Sequence, residues 1–452
     1  MQRFDCVVVG GGLAGLLAAY EASKAGKSVA LFEAAEHCGG AIASIDILGV
    51  RVDAGAESFA TTRPEALALI EDLGLSDLVV SPARSDARIF NDGKSFLIPH
   101  GMMGIPSDLT DPNVIAILGD AEARLAEELD AQPWNITDER SLGAVVAKRL
   151  GPMVVAKLVN PVVAGVHASD SYLLEMDSLL PGLLPLAKEL GSLHKAVKKL
   201  RGSASIPGSA VAGINGGINL ITRKLFLLLK ERGVKISQNS PVSNVFFDGS
   251  WKVAANDQII SSDYLVIATN PASGRKILSG FADLAELLSE IHSIDVALVL
   301  LAVRAPELAA EPLGSGVLIG DQGFGISAKA STHVTAKWAW VKDLAEGMDL
   351  IRLSYGRDGV VDPSDTNLLE AARRDAAILY GLDHPEILKS TVIRWPNSLI
   401  QARIGHQDIL QKIDQTLSQY PGLMIVGSGV SGNGIAGVIG RTRRKMEGLL
   451  SV

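Results

Sequence analysis

The chain has 452 residues, 47% of them hydrophobic, which is enough apolar material for two or three packed sections and too much for a disordered chain. A formal net charge of -8 and a sequence pI near 5.6 exclude a protein whose main partner is nucleic acid, since that role needs a basic surface. Two cysteines, Cys6 and Cys38, cannot build a disulfide framework or a clustered-cysteine metal site, so no metal is expected and the cytoplasm is the expected compartment.

The first element is a βαβ unit at 5–33, DCVVVGGGLAGLLAAYEASKAGKSVALFE. The apolar run Cys6 to Val9 predicts a buried parallel strand, and Leu13 to Lys24 carries helical periodicity up to a stop at Gly26. Gly10 allows the sharp turn between them. Gly12 lets backbone N–H groups approach a pyrophosphate at the positive end of the helix, and Gly15 lets helix pack closely on strand. Glu33 ends the second strand about 20 residues further on, where a carboxylate accepts hydrogen bonds from an adenosine ribose. The apolar stretch Val7 to Ala19 contains these glycines, follows Asp5 and lacks a basic leader or cleavage site, so it is expected to stay on the mature protein.

Next come short apolar segments among glycines at 39–59, with Glu57 and Ser58 near their end, and a helix from Pro64 that stops at Gly74. Helical patterns dominate from about Asp111 to Leu200, as an inserted helical section would. After Gly216 and Gly217 the pattern returns to helix at 218–233, then strands VKIS, VSNVFF and DYLVIATNP, which continue the first sheet. Strand-like runs between 290 and 360 suggest an antiparallel substrate sheet followed by a helix at 364–380. The tail offers strand GLMIVG, a Gly-rich turn and a helix from about Gly434 to Leu450.

The expected fold is α/β: a Rossmann-like domain assembled from discontinuous segments, with an α+β substrate domain and a helical insertion. The expected boundaries are 1–80, 206–272 and 391–452 for the nucleotide-binding domain, 81–205 for the mainly helical section and 273–390 for the substrate sheet and helix. Apolar runs such as VALVLLAV at 296–303 are shorter than the roughly 20 residues that span a bilayer, so no transmembrane anchor is expected. A mean hydropathy of +0.26 leaves peripheral membrane contact open beside its plainer cause, abundant buried aliphatic residues.

Other motifs read as structure. His167, His194 and His406 have no partners at metal-ligand spacing. Gly-Lys-Ser occurs at 26–28 and 93–95, but Glu21 and Arg88 replace the upstream glycine of a phosphate loop, and no Gly-x-Ser-x-Gly elbow is present. The basic run Lys195, Lys198, Lys199 and Arg201 is either a solvated helix face or a device that attracts substrate carboxylates.

From Glu33 onward the chain resembles the flavoprotein superfamily of amine oxidases, phytoene desaturases and protoporphyrinogen oxidases, because a second glycine pair, Gly39 and Gly40, follows the ribose acid. VDAGAESFATTRPEALALIEDLGL at 52–75, VVAGVHASD at 162–170, VIRWPNSLIQARIGH at 392–406 and GSGVSGNGIAG at 427–437 are similar to the bacterial HemY-like porphyrinogen oxidases, including the coproporphyrinogen III oxidases of Gram-positive haem synthesis. The resemblance spans nearly the whole chain. It departs at Ala41, where relatives often carry a basic residue, at Ala402, where an aromatic is usual, and at Asn433 and Ala436 in the closing loop.

The resemblance implies non-covalent FAD held by Gly10, Gly11, Gly12, Leu13, Ala14 and Gly15 of the first turn, Glu33 and Ala34 after it, and Gly40 and Ala41 of the second turn. It extends the site to Gly55, Ala56, Glu57, Ser58, Val242, Trp395, Asn433, Gly434 and Ile435, with the N-terminus of the last helix at the pyrimidine side of the flavin. The implied reaction is oxidation of coproporphyrinogen III to coproporphyrin III, with oxygen as acceptor giving hydrogen peroxide and the next haem-pathway enzyme as a possible partner. Such chemistry belongs mainly to the cofactor, so the catalytic residues stay unassigned. Three alternatives stay open at this point: a protoporphyrinogen IX oxidase, another flavin oxidoreductase acting on amines or polyenes, and a catalytically weak porphyrin-binding protein.

Overall fold

A computed structural model describes residues 2–84, 86–202, 211–256, 258–320 and 324–450. Its first sheet has seven strands. Gln2–Val9 lies between Val29–Phe32 and Gln258–Ile267, Lys235–Ser237 extends one side, and Leu423–Ile425 pairs with Gln258–Ile267, all in parallel. Trp251–Ala255 and Val242–Phe247 add an antiparallel ribbon. Cys6 to Val9 are buried because both faces are covered, by Leu16 and Leu17 of the helix Leu13–Lys24 on one side and by the cluster around Trp251, Leu284 and Leu288 on the other. The register sets Val9 opposite Phe32 and Ile267, and Ile267 opposite Ile425, so the carboxyl ends of four strands meet at one edge.

The second sheet runs in the order Glu386–Ile400, Ser293–Arg304, Asp349–Tyr355, Ala330–His333, Gly316–Ile319, Ala87–Asn91, Lys94–Leu97. Helix Asp365–Tyr380 packs Leu368, Ala372 and Ala376 into the cluster that holds Val299, Leu301 and Leu353 of this sheet. Gly165 of helix Asn160–His167 meets Leu318 of the same sheet, and a Cβ on Gly165 would come within 2.5 Å of the leucine.

Sheet pairing moves one of the expected boundaries. Glu386–Ile400 pairs along its length with Ser293–Arg304, so a border at 390/391 falls inside a substrate-sheet strand. The section 81–205 also supplies Ala87–Asn91 and Lys94–Leu97 to that sheet before its helices begin. Those helices enclose their own core of Leu142, Val145, Leu158, Leu193 and Val197.

At the start of the helix Leu193–Arg201, buried Asp130 accepts hydrogen bonds from the Ser192 hydroxyl at 2.6 Å and from the Leu193 backbone at 2.9 Å, and its carboxylate meets His194 Nδ1 at 2.6 Å. Burial opposes that charge, but the bonds from His194, Ser192 and the backbone outweigh it and hold the carboxyl near pH 2. His194 is therefore part of a helix cap. Among the described residues no helix is long and apolar enough to cross a membrane, and no His, Cys, Asp and Glu cluster could hold a metal.

Candidate functional site

A cavity of about 550 Å³ opens where the strand ends converge, within the roughly 300–1,000 Å³ of small-molecule and cofactor clefts. Its floor is the first glycine turn. Gly10 takes φ +105°, and a Cβ there would sit 2.6 Å from the Ala268 carbonyl oxygen. A Cβ on Gly15 would come within 1.9 Å of the Gly10 carbonyl oxygen, so helix and strand approach only because that residue is glycine. Gly12 differs. It caps the helix in an extended conformation, and its missing side chain leaves space that opens into the cavity, with only the Gly40 Cα within 4 Å. The first N–H groups of Leu13–Lys24 have no intrahelical partner and face this space.

The second glycine turn braces the first. Gly39 donates to the Gly11 carbonyl at 2.9 Å, and Gly40, at φ +58°, sits against the Gly12 Cα. Glu33 closes one end of the cavity, its carboxylate accepting from the Gly11 N–H at 2.6 Å and the Ala35 N–H at 2.8 Å. It fixes the turn as well as offering an anionic edge. Lys276 places a cationic side chain on the cavity wall, which Ala41 also lines.

At the other end, Trp395 lines the cavity and donates its indole N–H to the Ala54 carbonyl at 2.9 Å. Asn433 lines it too, but its side-chain amide is engaged on both sides by Ile400, accepting from the backbone N–H at 2.8 Å and donating to the carbonyl at 2.7 Å. That pair of bonds docks the start of helix Ile435–Leu450 on the end of the long substrate-sheet strand, and the helix N-terminus faces the cavity at Ile435.

The expected residues Gly10, Gly12, Leu13, Ala14, Glu33, Ala34, Gly40, Ala41, Ala56, Val242, Trp395, Asn433 and Ile435 therefore converge on one cavity. Gly11, Gly15, Gly55, Glu57, Ser58 and Gly434 are not among its lining residues. Gly11 and Gly15 shape the turn from behind, and a Cβ on Gly55 would strike the Ala41 carbonyl at 2.2 Å. Glu57 sits instead, with a tenth of its side chain exposed, between Lys337 at 2.6 Å and Arg352 at 2.8 Å. Sequence reasoning missed Thr269, Asn270 and Lys276, which carry no local signal and reach the cavity only through sheet order, and did not single out Ser428 within the family-like segment 427–437.

The basic run is not brought to the cavity. Leu193, Ala196 and Val197 are the buried residues of that helix, which turns Lys198 and Lys199 to solvent with 69% and 59% of their side chains exposed. They pair there with Asp108 at 3.8 Å and Glu189 at 3.7 Å, as a solvated face does. Lys195 and Arg201 are likewise absent from the lining.

Two glycine turns, two helix N-termini, a carboxylate at one end and a tryptophan at the other suit a long dinucleotide whose pyrophosphate lies over Gly12. The family profile of flavin-containing amine oxidoreductases matches residues 13–443. Among curated proteins, coproporphyrinogen III oxidase of Mycobacterium leprae (strain TN) is 30% identical over 463 residues, covering 99% of this chain and 98% of its own. The enzyme of the same name from Bacillus subtilis (strain 168) is 26% identical over 468 residues, covering 98% and 97%. Among solved structures, a proposed protoporphyrinogen oxidase from Exiguobacterium sp. 255-15 superposes with a TM-score of 0.86 at 24% identity, covering 100% of this chain and 99% of that one. Reduced UDP-galactopyranose mutase superposes with a TM-score of 0.77 at 13% identity, covering 99% and 96%, a likeness of fold alone.

Proposed function

Since the chain belongs to the flavin-containing amine oxidoreductase family, and is thus an FAD-dependent oxidoreductase, we propose that it oxidises coproporphyrinogen III to coproporphyrin III. The observation that carries this reading is the end-to-end match with coproporphyrinogen III oxidases, which covers the cofactor segments and the substrate sheet alike. Bound FAD would accept three hydrides in turn from carbons of the macrocycle, which also gives up three protons, and three molecules of oxygen would reoxidise it to yield three of hydrogen peroxide.

The chain's own part is binding, orientation and electrostatics. Gly12 would admit the pyrophosphate to the helix N-terminus, Glu33 would take the ribose, and Trp395 and Ala56, at the other end of the cavity lining, would border the ring. The N-terminus of Ile435–Leu450 faces the cavity, where its dipole would stabilise negative charge on a reduced ring, and Asn433 docks that end on Ile400.

Anaerobic titration with each porphyrinogen tests the reading through loss of flavin absorbance. Coproporphyrinogen III should bleach the flavin faster than protoporphyrinogen IX does, and oxygen should restore the colour. A flavin that neither porphyrinogen reduces overturns the assignment.

Two substitutions probe the ends of the site. Glu33→Ala should weaken FAD binding by about 1.5–3 kcal/mol, the worth of hydrogen bonds to a charged group, since it removes both the ribose acceptor and the clamp on Gly11. Calorimetric titration of apoprotein gives the value, and unchanged affinity removes Glu33 from the site. Trp395→Phe deletes the bond to Ala54 and should cost about 1 kcal/mol of stability while shifting the flavin spectrum. Lost stability with an unaltered spectrum would reduce the indole to a packing role.

A further inference from the structure

Where helix Asn160–His167 ends against the second sheet, three nitrogen-bearing side chains converge that the cofactor site does not use. Lys329, buried just ahead of the strand Ala330–His333, donates from Nζ to the Gly165 carbonyl at 2.6 Å, and its backbone N–H is held by Ser354. Arg357, on the turn after Asp349–Tyr355, donates from Nη2 to the Ile319 carbonyl at 2.6 Å, while its buried Nε has no partner. Nδ1 of His167 is also buried without a partner. The Asp358 N–H bonds the Ala168 carbonyl at 2.9 Å and latches this turn to the helix end.

The local charge does not balance. No carboxylate among the described residues pairs with Lys329, and its charged neighbours are Arg357 and Arg352. Arg352 is taken by Glu57, and the carboxylate acting on Arg357 is exposed Asp358. Burial first, then the two guanidiniums, bring the Lys329 amine down to about 7, and burial with Lys329 nearby brings His167 to about 4, leaving it neutral. An unpaired buried ammonium is costly, and one helix carbonyl offsets only part of the cost.

We propose that Lys329 and Arg357 form an anion subsite that receives one carboxylate of the tetrapyrrole substrate, with His167 at its mouth. This rests on the porphyrinogen reading above. Lys329 is buried while Arg357 and His167 are partly exposed, so an anion would reach the ammonium past those two side chains. The cofactor cavity is close in bonding terms. Gln401 donates to the Ala168 carbonyl at 2.9 Å, and the preceding Ile400 is bonded on both its backbone groups to Asn433, which lines that cavity. A propionate seated here would neutralise Lys329 and accept from the idle Nε of Arg357.

The test is fluorescence titration of the holoenzyme with coproporphyrin III, a tetracarboxylate, and with its uncharged tetramethyl ester. Lys329→Met should keep its flavin and melt no lower than wild type, because it removes an unpaired charge and keeps the stem volume. It should bind coproporphyrin III on the order of ten- to a hundredfold more weakly, the range for a lost charged hydrogen bond, and bind the ester as wild type does. Wild-type affinity for the free acid should fall as pH rises through about 7, where Lys329 loses its proton, and the variant should show no such decline. Arg357→Gln should weaken the free acid in the same direction and carries the test if Lys329→Met does not fold. Undiminished binding of coproporphyrin III by the variants, equal losses for acid and ester, or no binding by wild type overturns the subsite. A wild type that binds coproporphyrin III through Lys329 but oxidises no porphyrinogen overturns the proposed reaction and keeps the subsite.

Discussion

Replacing Gly12 by valine is expected to give a folded protein that retains no flavin. Gly12 has φ -72° and ψ -177°, ordinary extended backbone for any residue, and its Cβ would meet only the Gly40 Cα at 3.9 Å. That is ordinary van der Waals distance, so the new Cβ meets no clash. What it fills is the space through which the first N–H groups of the helix reach an anion, so the loss should be complete. The absorbance ratio of purified protein reads flavin content, and circular dichroism reads the fold. A fully loaded Gly12→Val would place the pyrophosphate somewhere else. Gly15→Ala is the contrasting variant, since its Cβ lands 1.9 Å from the Gly10 carbonyl and must force helix and strand apart.

Glu57→Ala should cost about 3–5 kcal/mol of folding stability, the penalty for stranding the partners of a buried ion pair, out of a total of roughly 5–15 kcal/mol. Glu57 joins the loop beside the cavity to Lys337 and to Arg352 of the substrate sheet, and Arg352 also donates to the Gly55 carbonyl at 3.1 Å. Burial pushes the carboxyl up, but Arg352 and Lys337 together outweigh it and hold it below its ordinary 4.5. A lowered folded value means stability present above 4.5 and lost as pH falls through the folded value. Denaturant titrations at pH 7 and in acid should show that loss in wild type and little of it in Glu57→Gln. Equal stability of Glu57→Ala and wild type at pH 7 would show that the two cations find other partners.

How much was legible follows from the range of the forces involved. The first glycine turn and helix Leu13–Lys24 could be read because their demands are local: a positive φ at Gly10, a close approach at Gly15, a periodic buried face. Trp395 and Asn433 were reached only through the family resemblance, since nothing in their own segments points to a cavity built mostly from residues far away in the chain. Strand Trp251–Ala255 escaped notice because most of its residues are buried and it lacks alternation. The border expected at 390/391 failed because strand pairing is a long-range choice. Charge misled in both directions. The run after Leu193 showed its sign but not its outward orientation, whereas Lys329, a single cation among small residues, gave no sign of its burial.

The order in which the strands join has a consequence for synthesis. Val9 waits for Ile267, and Ile267 waits for Ile425, so the cofactor edge of the first sheet closes only when residues 423–425 have left the ribosome. Until then the nascent βαβ unit exposes apolar strand edges that native neighbours will cover, the kind of surface that makes a partly folded chain prone to aggregate. Flavin should therefore load only after Leu423–Ile425 has emerged and paired. A ribosome-stalled chain ending before Leu423 should leave the glycine turn open to proteases whatever the flavin concentration, while the released full chain should gain protection in proportion to it.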